Sequence, residues 1–148
     1  MLYCVVRPKR QGPLQLKKEK KMAQRTWQRL AAILALLIGL LSIKEGGSVL
    51  LGLSTPTYHV LRCFVLYNTA MGFASVIAGI GVWMQRTWGS TLAVIILSFH
   101  GIVFLVVFTL FELGKTVAAM SVWAMLFRTT VWLVIVALLV WKRQAQGS

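Results

Sequence analysis

The chain has 148 residues, 58% hydrophobic and 13% charged, with a mean hydropathy of +0.77. That balance lies far outside the range of soluble domains of this length and defines an integral membrane protein. The net charge of +13 sets 16 Lys and Arg against 3 acids; Glu19, Glu45 and Glu112 all sit outside the mid-membrane stretches, which argues against a proton pump built on a buried carboxylate relay.

Residues 1–26 read as a flexible basic segment on the cytoplasmic side. Nine of the 16 basic residues fall before residue 30: Arg7, Lys9, Arg10, Lys17, Lys18, Lys20, Lys21, Arg25 and Arg29. Each basic group near an anionic surface contributes on the order of 1 kcal/mol, so the segment suits anionic lipid, and more simply it orients the chain. Nucleic acid is not expected, since Tyr3 is the lone aromatic among these charges and single-strand binding needs stacking platforms. Met22 is an alternative start, because Met22-Ala23-Gln24-Arg25 leads directly into the first apolar run. A cleaved signal peptide is not expected, as no small-x-small site follows that run.

Four stretches are long enough to cross a bilayer core of about 30 Å: Trp27–Ile43, Val60–Trp83, Trp88–Leu110 and Trp123–Trp141. They are continuously apolar, whereas a transmembrane barrel would alternate, so the fold class is all-α: a four-helix membrane bundle over residues 27–141. The second span carries Ala70, Ala74 and Ala78 on one stripe and Asn68, Gly72, Ser75 and Gly79 on a neighbouring face. Small residues let membrane helices approach closely, which predicts a central position for this helix, with Gly39 and Gly101 as matching points on the first and third. Cys63 reads as a packing residue near the outer end, unable to meet Cys4 on the inner side. Pro56 falls in a loop, so broken-helix transporter architecture has no support.

Asn68 and His100 lie roughly 12–16 Å from the outer edge at 1.5 Å per residue, near the midplane. An ionisable residue there is a functional candidate, and imidazole suits a quinone carbonyl, a metal or a proton relay. One histidine without companions makes a poor metal or haem site, so no metal is assigned. The structural alternative is a neutral His100 bonded to Asn68 or Ser98, fixing helix register.

Residues 142–148 form a short tail opened by Lys142 and Arg143. Four crossings with basic residues at both ends place both termini in the cytoplasm. Trp27, Trp83, Trp88 and Trp141 then share the inner interface, with Tyr58 and Trp123 at the outer one.

The string Gln-Arg-Thr-Trp occurs at residues 24–27 and again at 85–88. Glu45 and Glu112 follow the first and third spans, and Arg62 and Arg128 enter the second and fourth, at similar offsets. This suggests two hairpins related by a pseudo-twofold axis along the membrane normal. It gathers Glu45, Arg62, Glu112 and Arg128 at the outer end, with His59 and Lys115 nearby. The group is either a polar vestibule for an anion or quinone headgroup, or a pair of Glu–Arg clasps tying loops to helix ends. Clasps are preferred, because Arg128 lies inside its helix where an unpaired charge costs several kcal/mol.

The Gly39-to-Gly46 spacing, the Asn68-x-x-x-Gly72 pattern and the compact size resemble the DoxX-like group of small four-helix bacterial membrane proteins, over most of residues 27–141. The resemblance implies a bacterial inner-membrane location and raises a quinone-linked role; it transfers no catalytic residue. Phosphate-cradling loops, nucleophile elbows and zinc-protease motifs are absent from the sequence. Three functions follow: a structural or accessory subunit packing against itself or a larger complex, a quinone- or anion-interacting redox subunit, and a small exporter or permease. The first is preferred, with no catalytic residue and no cofactor assigned.

Overall fold

The computed structural model describes residues 12–53, 62–114 and 119–147. Its four helices are α1 (Pro13–Leu50), α2 (Arg62–Trp83), α3 (Thr87–Glu112) and α4 (Ala119–Gly147). Each contains a stretch long and apolar enough to span a bilayer: Met22–Leu50, Cys63–Trp83, Thr87–Glu112 and Ala119–Trp141. The chain is a small multi-pass membrane protein with an all-helical fold, and no strand occurs among the described residues.

The helices run up and down in a ring. Packing joins α1 to α2, α2 to α3, α3 to α4 and α4 back to α1, while the backbones of the two diagonal pairs stay apart among the described residues. The helix expected at the centre, α2, does touch two others, but it occupies one corner of a square, as every helix does. The ring has a terminal end, with the α2–α3 turn and the end of α4, and a loop end, with the ends of α1 and α3 and the starts of α2 and α4.

The first helix is longer than the expected span. It starts at Pro13, where proline suits the first helical position because its missing N–H has no partner there anyway. It runs through the residue 26/27 boundary and continues past Lys44 and Glu45, both good helix formers. It stops at Leu50 because Gly52 takes a left-handed φ of 70°, letting the Leu53 N–H reach back to the Ser48 carbonyl at 2.9 Å.

The repeated Gln-Arg-Thr-Trp string takes two conformations. Its first copy is helical within α1; in its second, Gln85 and Arg86 make the α2–α3 turn and Thr87 and Trp88 open α3. Gln85 adopts φ of 59°, and the Arg86 N–H closes on the Gly81 carbonyl at 3.0 Å, capping α2. The second copy, unlike the first, lies between a closely packed pair, Gly81 before it and Gly89 after it. A Cβ on Gly89 would lie 2.5 Å from the Gly81 carbonyl carbon and the Val82 nitrogen.

Close approach also zips α1 to α2. A Cβ on Gly39 would lie 2.9 Å from the Gly72 carbonyl oxygen, and one on Gly79 would lie 2.9 Å from Leu36. Gly46 sits directly against Thr69. The expected role of Gly101 does not hold: it has open space around it, and Gly89 is the contact glycine of α3.

The core lies towards the terminal end, where Ala31, Ala35, Ala78 and Ala93 cluster with Ile96, Ile135 and the fully buried Trp132. Small residues from three helices make room for one indole, the large-with-small pairing a dense core needs. Leu37, Leu40, Phe73, Phe99, Ile102 and Leu133 point outward, as lipid-facing side chains do.

Glycine contacts of this kind set helix spacing, so Gly89→Ala should destabilise by about 1–3 kcal/mol through overpacking. Gly101→Ala should be neutral or stabilise by about 0.5–1 kcal/mol, since open space accepts a methyl and alanine favours the helix. Thermal unfolding of both variants in detergent checks the contrast; equal effects would reject the packing argument.

Candidate functional site

Most hydroxyls within the bundle serve their own helix. Thr69, Ser75, Ser98, Thr109 and Thr130 each donate to the carbonyl four residues earlier, at 2.6–3.0 Å. That removes Ser98 as a partner for His100. Four other polar groups bond between helices, and together they touch every interface in the ring.

Near the terminal end, the buried Gln28 of α1 donates from Nε2 to the Val82 carbonyl of α2 at 2.7 Å. The buried Val82 carbonyl, near the end of α2, thus gains a side-chain donor from α1. Around it the Trp27 and Trp141 rings lie 6.0 Å apart and Arg29 sits 5.8 Å over Trp83. These tryptophans do gather at one end as expected, and Trp123 is exposed near the other.

Midway along, Tyr67 of α2 meets His100 of α3. The phenol oxygen lies 3.3 Å from His100 Nδ1, and the rings stand edge to face at 5.9 Å. His100 is buried and faces the bundle interior, as expected, but its partner is Tyr67 and not Asn68. Successive helical residues point about 100° apart, so Tyr67 and Asn68 cannot both address α3. The phenol donates to Nδ1 when the imidazole proton is on Nε2.

The polar contact between α3 and α4 is the longest of the four. The Thr129 hydroxyl donates to its own Met125 carbonyl at 2.8 Å, with the His100 carbonyl a second acceptor at 3.4 Å.

At the loop end, Arg128 of α4 donates from Nη2 to Glu45 Oε2 of α1 at 3.1 Å. This is one of the two carboxylates expected to meet it, and it joins the first hairpin to the second. Arg128 lies more than two turns past Ala119, deeper in its helix than the expected span start implied. The pair is lopsided: the Arg128 side chain is 12% exposed and that of Glu45 67%. Glu112 is exposed at the end of α3. The Arg62 side chain, His59 and Lys115 lie outside the described residues.

Beside this ion pair is a cleft of about 150 Å³ between α1, α2 and α4. Glu45, Asn68, Ser121 and Arg128 supply its polar lining, and Phe64 and Met125 are among its apolar walls. Asn68 Oδ1 is buried and has no hydrogen-bond partner. His100 does not line this space. Thus Asn68, Glu45 and Arg128 come together, whereas His100 belongs to a separate contact one helix away. Among the described residues no group of three or more His, Cys, Asp or Glu side chains is placed to hold a metal ion.

Tyr67, Gln28 and Trp132 carry much of this arrangement and were not singled out from the sequence. Each is a polar-tipped side chain within or beside an apolar run, and a buried phenol or amide there needs a partner. That requirement was the available signal.

Comparison with known protein families, curated proteins and solved structures finds no match to this chain.

If Tyr67 and His100 serve each other, Tyr67→Phe should cost about 1–3 kcal/mol by leaving an imidazole nitrogen unpaired, while Tyr67→Phe combined with His100→Leu should recover much of that loss. A double-mutant cycle by thermal unfolding checks it; additive losses would reject the pairing. For the ion pair, exposure fixes the direction. Arg128→Leu leaves Glu45 in water and should cost no more than about 1 kcal/mol. Glu45→Gln leaves a buried guanidinium without its carboxylate and should cost more than Arg128→Leu in the same unfolding measurement.

Proposed function

We propose that the chain acts as a non-catalytic structural or accessory subunit of a bacterial inner membrane, with both termini cytoplasmic and the loop end outside. The observation that carries this reading is the ring of four interhelical polar contacts, one at each helix interface. His100 and Arg128, the residues with the strongest functional chemistry, are used in holding helices in register. A helix scaffold fixed in this way suits a protein whose task is to present lipid-depth surfaces to a second copy or to a larger membrane complex. The basic start of α1 suits anionic headgroups on the inner leaflet.

The redox alternative implied by the DoxX-like resemblance would require His100 to leave Tyr67 in order to meet a quinone. The permease alternative would require a polar path past Trp132, Ile96 and Ile135, which are fully buried in the core.

Native mass spectrometry of the full chain released from mild detergent tests the proposal. The expected result is an assembly heavier than one chain that carries no redox cofactor. A single chain that retains a quinone or haem, lost in His100→Gln while helicity persists, would overturn it. Reporter fusions after Gly114 and at Ser148 should give opposite sides of the membrane; the same side for both would reject the topology.

A further inference from the structure

The loop-end cleft holds two side chains, Asn68 and Glu45, with acceptor capacity left over. Asn68 Oδ1 is a buried acceptor without a donor. Leaving such a group unpaired costs about 1–3 kcal/mol. Glu45 spends Oε2 on Arg128 and keeps Oε1 for a second donor. The cleft therefore has acceptors to offer, in reach of a cation, Arg128, whose carboxylate partner stands at the exposed rim.

These features define a ligand. It must bring N–H or O–H donors for Asn68 and Glu45 and an anionic oxygen for Arg128, and it must be small, because about 150 Å³ holds roughly five waters at ~30 Å³ each or one compact headgroup. The pair of opposite charges on the cleft wall favours a zwitterion, which adds no net charge at a depth where net charge is costly. Phe64, Val65 and Met125 give the carbon portion an apolar surface. Primary ammonium and phosphate separated by two carbons satisfy every condition. A quaternary ammonium of the same charge does not, since it has no N–H.

We propose that the cleft between α1, α2 and α4 binds a phosphoethanolamine headgroup, its ammonium donating to Asn68 and Glu45 and its phosphate accepting from Arg128. Rotation of the Asn68 amide about its last torsion, which is soft, turns the oxygen towards the ammonium. No bond is made or broken; the site is a recognition site. The headgroup belongs either to a bilayer phosphatidylethanolamine or to a free phosphoethanolamine ester, and the same chemistry reads both.

The test uses the full chain in detergent with equimolar phosphatidylethanolamine and phosphatidylcholine of matched acyl chains, read by native mass spectrometry. The expected result is at least about tenfold preferential retention of the ethanolamine lipid, the equivalent of about 1.4 kcal/mol. Asn68→Leu should bring the preference to within about twofold, and Ser98→Ala, far from the cleft and bonded only within α3, should leave it intact. Helicity by circular dichroism accompanies each variant; if Asn68→Leu fails to fold, Glu45→Gln takes its place, with the same loss expected. Competition with free O-phosphoethanolamine separates the sources. Displacement assigns the site to the headgroup alone, and persistence assigns it to the intact lipid. Equal retention of the two lipids by the wild type, as water filling the cleft would give, overturns the proposal, as does a preference that survives Asn68→Leu or its replacement.

Discussion

A polar side chain inside a bilayer has no solvent to return to, and this constraint organises the bundle. Hydrophobic burial cannot hold helices together when lipid is as apolar as their faces, so packing and interhelical hydrogen bonds must do so. Gln28, Tyr67, Thr129 and Arg128 each cross a different helix interface. A square of four helices whose diagonal backbones stay apart has four backbone interfaces to hold in register. One directional contact on each is the least that fixes them all.

Where the polar contacts are few, backbone proximity supplies the remainder. The α1–α2 interface is lined along much of its length by Gly39, Gly46, Gly72 and Gly79, bringing main chains close enough for dispersion to add up over many atoms. On the far side, Trp132 does the opposite, filling the space that Ala31, Ala35, Ala78 and Ala93 leave. Its Nε1 is buried without a partner, a cost accepted for volume that no aliphatic residue provides.

Much of this was legible in the residues. Composition and run length reveal the class and the number of crossings, and the clustering of Trp27, Trp83 and Trp141 at one end follows from the up-and-down order. The Arg128–Glu45 pair was legible because a deep charge needs a partner and few carboxylates exist. What escaped was angular. Depth offers His100 either Asn68 or Ser98 as a partner, but depth does not say which way a side chain points, and a one-residue offset between Tyr67 and Asn68 directs one at α3 and the other into the cleft. Gly101 failed for the same reason: smallness licenses a contact, and only the facing surface decides whether one is made. The repeated Gln-Arg-Thr-Trp string marks two helix entries in sequence, yet tertiary packing at Gly81 and Gly89 bends one copy into a turn.

The two ends of the bundle differ in a way that follows from side-chain length. At the terminal end small residues pack around Trp132, one amide crosses between helices, and Trp27, Trp83, Arg29 and Trp141 meet around it. At the loop end α4 meets α1 through a guanidinium and a carboxylate, two long groups that hold helices apart at the distance of their own reach. The space beside them is lined by polar Glu45, Asn68, Ser121 and Arg128 and by apolar Phe64, Val65 and Met125. An ion pair that would contribute little to stability at a water-exposed rim also lines the cleft shared with Asn68, whose buried Oδ1 has no donor within the protein.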